Sequence, residues 1–225
     1  MFVVSEGWKQ TWPGAAVGVL AMHGLANPKG HSELQRRKAA LEEKLRAQYA
    51  GLDRAALRAL PVMEAYTAYY KGFKKTYHLQ LQLESVVFKN KPIPNEAALV
   101  EAMFMAELDT LLLTAGHDLD IVQPPVGIYV ADGSERFVRI NGQEQQLKAR
   151  DMYVADAEGV LSTIIYGPDQ RTRITGETRR ALFTTYAPPG IGEEAVLHHL
   201  QEIRDYALLV APQAQVEMLE VHGTG

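Results

Sequence analysis

The chain has 225 residues, 47% of them hydrophobic and 22% charged, so it holds enough apolar material for a sizeable core and shows no compositional sign of disorder. It has no cysteine, which removes disulfides, thiolate nucleophiles and thiolate metal sites together and makes a cytoplasmic setting the simplest expectation. The formal net charge of -4 excludes a grip on nucleic acid by bulk electrostatics, so any RNA contact must be local.

Met1 to Gln10 carries Glu6, Trp8 and Lys9 where a secretory leader would be apolar, and Ala15 to Met22 is too short to span a bilayer, so no membrane partner is expected. Ala15 to Met22 reads instead as a buried strand, followed by a loop through Asn27-Pro28-Lys29-Gly30. From Ser32 to Tyr49, Leu34, Leu41, Leu45 and Tyr49 recur at helical spacing, with Ser32 as cap and Gly51 as stop. A second helix runs from about Thr76 to Phe88 on the stripe Leu79, Leu83 and Val86, and Pro92 and Pro94 break it. Asn95 is placed to cap a third helix carrying Leu99, Ala102, Met103 and Ala106, apolar on most sides and therefore deep in the body. After Asp120 come short runs separated by turns: Gly127–Val130, Arg136–Ile140, Gln146–Lys148, Met152–Val154, Val160–Tyr166 and Ala181–Tyr186. These predict a meandering sheet, with Asn141-Gly142 as a two-residue hairpin turn. Glu193–Val210 closes with a helix and Gln215–Leu219 returns as a last strand. The pattern predicts a single α+β domain over residues 1–225.

Two stretches carry candidate chemistry. The apolar run from Leu111 ends abruptly in Thr114-Ala115-Gly116-His117-Asp118-Leu119-Asp120. There His117 would orient water, Asp118 would fix its tautomer and N–H groups near Gly116 would face an oxyanion; the competing reading is a capped turn with His117 exposed. Tyr166-Gly167-Pro168-Asp169-Gln170-Arg171-Thr172-Arg173-Ile174 offers an acid and planar guanidinium forks for phosphate or carboxylate, or equally a scaffold turn in which Asp169 pairs with Arg171 or Arg173. Lys71, Lys74 and Lys75 stand among Tyr69, Tyr70 and Phe73, as an RNA contact or as a solvated face. His117, Asp118 and Asp120 have metal-binding atoms at poor spacing, and no nucleotide loop or serine elbow occurs, so neither a metal nor a cofactor is expected.

Phe73-Lys74-Lys75-Thr76-Tyr77-His78 to Leu83-Glu84-Ser85-Val86, Ile93-Pro94-Asn95, Leu99 to Leu108, Thr114 to Asp120 and Tyr166 to Ile174, taken in order, resemble the stand-alone B-three/B-four domain proteins related to the phenylalanyl-tRNA synthetase beta subunit. The resemblance implies an α+β fold, a mixed or antiparallel sheet with flanking helices around a central cavity, with a core over 66–210 and residues 1–65 adding a strand and helices packed on it. In the synthetase that cavity hydrolyses the ester joining tyrosine to the tRNA for phenylalanine. Its threonine and asparagine fall at Glu101 and Ala102, its histidine nearest Ala115 and its tyrosine-sensing glutamate near Thr184, while its turn glycine matches Gly167, so the resemblance implies a retained pocket with an altered lining. The implied activity is deacylation of mischarged tRNA in trans. His117 and Asp118 would be catalytic, and Asn95, Glu101, Thr114, Gly116, Gly167 and Asp169 would bind substrate. Lys71, Lys74, Lys75, Arg171 and Arg173 would meet the tRNA acceptor end, with a synthetase or translation factor as a further partner and no DNA. The rivals are a non-catalytic module for tRNA or an amino-acid-like ligand, and a hydrolase of small acyl metabolites.

Overall fold

The computed structural model describes residues 2–224; Met1 and Gly225 lie outside the described residues. In chain order the elements are β1 (Phe2–Val4), α1 (Glu6–Thr11), β2 (Ala16–His23), α2 (Ser32–Gln48), α3 (Arg54–Arg58), α4 (Pro61–Gly72), α5 (His78–Lys89), α6 (Ala98–Thr110), β3 (Leu113–Asp118), β4 (Val126–Val130), β5 (Arg136–Val138), β6 (Glu144–Gln146), β7 (Met152–Asp156), β8 (Gly159–Thr163), β9 (Gly167–Pro168), β10 (Arg180–Ala187), α7 (Glu193–Val210) and β11 (Gln215–Gly223). The fold is α+β. No helix among the described residues is long and apolar enough to cross a membrane.

The strands form not one meander but two sheets and a ribbon: an antiparallel four-stranded sheet in the order β11-β2-β10-β3, a five-stranded sheet in the order β1-β4-β7-β8-β9, and β5 paired with β6. The separation follows from burial. β10 is buried along nearly its whole length, as β2 is, and a strand covered on both faces belongs in a sheet interior, so the two pair from Arg180↔His23 to Ala187↔Ala16. The N-terminal segment thus supplies an inner strand, and β1 adds a parallel pairing to β4. One face of the four-stranded sheet packs on α6 and α7. Gly18 of β2 permits this, because a Cβ there would lie 2.5 Å from Val196 Cγ1 and 2.9 Å from Leu200 Cδ1. The other face meets the five-stranded sheet through Leu182, Tyr186, Val154 and Leu161.

Several local expectations change. Ser32 is the first helical residue of α2, with His31 as the cap and no side-chain cap bond. Asn95 does not cap α6; Ala97 does, while Asn95 Oδ1 accepts from Lys38 Nζ at 2.6 Å. Of Asn141-Gly142 only the glycine has positive φ, at 82°, and the Gly142 N–H donates to Arg139 O at 2.8 Å in a turn longer than two residues. α4 begins at Pro61, a favoured first helical position, and buries Met63, Tyr66, Tyr69 and Tyr70.

Tyr66 also completes a sheet. Its buried hydroxyl donates to Tyr186 O of β10 and accepts the Leu113 N–H of β3 at 2.8 Å, replacing the last rung between those strands. Tyr66→Phe strands a buried donor and a buried acceptor, and is expected to cost about 1–3 kcal/mol in urea denaturation. An unchanged midpoint would show that the rung is dispensable.

Candidate functional site

β3 is the outermost strand of its sheet, paired on one side with β10. Leu119 N–H donates to Arg180 O at 2.9 Å, so the N–H groups of Leu113, Ala115 and His117 face β10 and those of Thr114, Gly116 and Asp118 face outward. Thr114 N–H accordingly meets Glu107 Oε1 at 2.8 Å, and Asp118 N–H meets Thr172 O at 2.7 Å. Gly116 N–H lies between them on the same edge. Against that edge opens a cavity of about 290 Å³. α6 walls it with Val100, Met103, Phe104 and Glu107, and β3 with Leu113 to Gly116; Thr163, Ile164, Gly167, Pro168 and the Tyr186 ring lie opposite, and His78 stands on the rim.

Thr114, Gly116 and Gly167 therefore line one hollow. A Cβ on Gly116 would fall 2.6 Å from Met103 Sδ and 2.7 Å from Ile174 Cδ1, so its missing side chain first serves the close approach of those neighbours. Gly167 has φ 77° and open space around it, as a sharp turn requires.

His117 does not face the hollow. Strand alternation turns it between the two sheets, where it is fully buried, with Nδ1 2.8 Å from Thr172 Oγ1 and Nε2 3.1 Å from Ser162 Oγ. Both ring nitrogens are occupied, so the expectation that His117 holds the attacking water is corrected. Asp118 cannot set its tautomer either: it points to the opposite face, where Thr178 Oγ1 donates to its Oδ2 at 2.6 Å. The Thr172 hydroxyl donates to buried Asp169, so His117 Nδ1–H donates to Thr172 Oγ1; Nε2 meets Ser162 Oγ, which lies 2.7 Å from the Tyr186 hydroxyl, and that hydroxyl also reaches the Ser162 carbonyl at 3.0 Å. The histidine stretch and the arginine-bearing turn do meet, through hydroxyls, and the line ends at the Tyr186 ring on the cavity wall.

Glu101 and Asn95 stand elsewhere. Val100, Met103, Phe104 and Glu107 share one helical face, from which Glu101 is turned by about 100°. It is buried against α2, accepting from Lys38 Nζ at 2.9 Å, Gln35 Nε2 at 2.9 Å and Glu96 N–H at 2.9 Å, so it ties two helices together and does not read substrate. Arg171 is held by carboxylates, 2.8 Å from Asp156 Oδ1, 3.2 Å from Glu158 Oε2 and 3.7 Å from Asp169 Oδ2, which makes it scaffold and not a phosphate reader. Arg173 is exposed, as are Lys71 in the last turn of α4 and Lys74 and Lys75 past its end, with Lys75 Nζ 4.8 Å from the Tyr166 ring centre beside Gly167.

The residues missed from sequence are Glu107, His78 and Tyr186. Burial pushes the Glu107 carboxyl up to about 8 against the opposing Thr114 N–H, so it is protonated at neutral pH. Desolvation holds the His78 imidazole below its ordinary value, leaving it neutral. An acid in register with Val100, Met103 and Phe104 was the available signal for Glu107. A carboxyl whose pKa is raised on folding favours the native state below its unfolded value and loses that contribution as pH rises through the folded one. Stability should therefore fall between about pH 4.5 and 8 by up to about 1.4 kcal/mol per pH unit for this group, and Glu107→Gln should flatten that slope in denaturation series across pH.

The B3/4 domain family matches residues 62–206, a span that contains the whole cavity lining. The phenylalanine–tRNA ligase beta subunit of Tropheryma whipplei (strain Twist) is 36% identical over 66 residues, 29% of this chain and 7% of that protein. The crystal structure of an N-terminal fragment of the phenylalanyl-tRNA synthetase beta subunit from Pyrococcus horikoshii aligns with a TM-score of 0.49 at 14% identity, over 97% of this chain and 52% of that one. The chain thus spans only part of each. On the match across its cavity-bearing region, the chain belongs to the B3/4 domain family.

Proposed function

We propose that the chain takes the aminoacylated end of a tRNA into the cavity beside β3 and hydrolyses the ester in trans. The observation that carries the reading is the outward Gly116 N–H on the strand edge beyond the Arg173 bridge, beside an apolar hollow that His78 also lines with its pKa lowered by burial. Water attacks the acyl carbon, His78 takes the water proton, and the Gly116 N–H receives the developing oxyanion. Collapse of the tetrahedral intermediate breaks the bond to the ribose oxygen, which takes up the proton from His78 and leaves a free amino acid and an uncharged tRNA. His117 acts behind this step, fixing Tyr186 through Ser162. Lys71, Lys74, Lys75 and Arg173 meet the acceptor end, and family membership together with the named beta-subunit relative supports tRNA as the partner.

A non-catalytic ligand-binding role is the second reading, favoured by the hydrogen bonds that occupy both His117 nitrogens and by the burial that raises the Glu107 carboxyl. A panel of mischarged tRNAs separates the two. Release of amino acid above the spontaneous rate is expected for at least one member, with His78→Ala lowering turnover by about 100-fold or more, the scale of a lost general base. Lys74→Glu with Lys75→Glu should raise KM and weaken its salt dependence while leaving kcat. Tight binding of charged tRNA with no release would establish the binding module instead.

A further inference from the structure

Glu107 holds a position that the deacylation step leaves unused. Its Oε1 is fixed by the Thr114 N–H at 2.8 Å, and its Oε2 has no hydrogen-bond partner among the described residues. The carboxyl is buried and belongs to the cavity wall. The titratable groups around it are Tyr66 and Tyr70 of α4, Tyr77 ahead of α5, His78 of α5, Tyr186 of β10 and, behind Thr114, His199 of α7.

None of these is a cation. Burial pushes the tyrosines up, so all stay protonated, and their hydroxyls are already directed: Tyr70 to Ile164 O at 2.6 Å, Tyr77 to Leu111 O at 3.0 Å, Tyr66 to Tyr186 O. His199 is pushed down to about 3 and is bracketed by Thr110 and Thr114, and His78 is lowered as well. No lysine or arginine among the described residues pairs with Glu107, although Glu101 on the same helix has Lys38. Capping one N–H needs a single oxygen. The second oxygen faces an otherwise uncharged hollow and finds no partner in the chain; burial without a cation keeps the group as the acid, and a ligand cation that also donates hydrogen bonds would satisfy it as the carboxylate.

We propose that Glu107 receives the ammonium group of the ligand, and that the cavity consequently selects acyl groups bearing a free α-amine beside an apolar side chain. The inference rests on the editing reading for the ribose end of the ligand but not for hydrolysis. Below pH 7 both partners start protonated, Glu107 as the acid and the ligand as ammonium, and pairing them as carboxylate and ammonium releases one proton to solvent. Affinity for an amine-bearing ligand therefore rises with pH up to the ligand's own pKa and falls above it.

The test uses the full chain and two inert probes: adenosine carrying leucine through a 3′-amide, and the same molecule with the α-amine replaced by hydrogen. Each is titrated calorimetrically at about pH 6.5 in buffers of different ionisation enthalpy, which reads protons exchanged. The leucyl probe should bind about tenfold tighter or better and release about one proton, as a charge-assisted pair requires, and Glu107→Gln should abolish both the preference and the release. Equal affinity for the two probes with no proton released by the unaltered protein overturns the ammonium role while leaving the cavity as the acyl site. Failure of both probes to bind removes the acyl site as well. Proton-releasing binding of the leucyl probe beside an absence of tRNA deacylation upholds Glu107 and removes hydrolysis.

Discussion

Most of what the molecule offers chemically follows from one strand having a full partner on one side and only a single bridge, His117 to Arg173, on the other. β3 pairs with β10, and its other edge must find acceptors for the Thr114, Gly116 and Asp118 N–H groups, because buried main-chain donors cannot be left bare. Glu107 satisfies the first and Thr172 the third. Between them α6 and Ile174 close on Gly116 as far as a residue without Cβ allows, and the space they leave uncovered is the cavity. A hollow beside an exposed strand edge has main-chain donors pointing into it by construction, which is the requirement for holding a carbonyl oxygen as it gains charge.

The polar line from Tyr186 to Asp169 plays a different part. It ends at the Asp169 carboxylate, and its members come from β10, β8, β3 and the turn after β9, so it clamps the two sheets in one register. Buried networks of this kind are favourable only when every member is satisfied, which fixes side-chain orientation. The Tyr186 ring on the cavity wall is held by this line, and the turn carrying Gly167 is held by Asp169 and Arg171. The imidazole that the sequence makes conspicuous thus shapes the cavity from behind.

What could be read in the sequence was whatever depends on neighbours a few residues apart. The stripe Leu34, Leu41 and Leu45, the branched run of β2 and the apolar α6 stand where their spacing places them. Thr114 to Asp120 stands out in the sequence, but read as a turn its side chains have no fixed sides. As strand β3 it throws Gly116 and His117 to opposite faces, which exchanges the roles expected of them. Spacing places Glu107 on the face of Val100, Met103 and Phe104 and Glu101 on another, but which face fronts a hollow is decided by β3 and by α2, whose Lys38 captures the first acid. Arg171 was lost to Asp156 and Glu158, carboxylates on another strand and its turn, a pairing that no local spacing announces. α4 went unread because its tyrosines favour strands as readily as helices, and its burial comes from distant partners such as Ile164 and Tyr186.

A raised carboxyl pKa would by itself say little about function here, because two occur among the described residues. Asp151 is pushed up to about 7 by the same desolvation that lifts Glu107 to about 8. Asp151 accepts from the Tyr69 hydroxyl at 2.8 Å, and that hydroxyl in turn accepts the Met152 N–H at 2.7 Å, so the acid joins α4 to the start of β7; its Oδ2 is also without a partner but is sealed in the interior, away from the hollow beside β3. Glu107 has one oxygen bound to the strand edge and the other free at the wall of a hollow that contains no cation. The two acids share a cause and differ in their surroundings. It is the outer edge of β3, by creating the hollow and claiming only half of the carboxylate, that turns the second from a brace into a receptor.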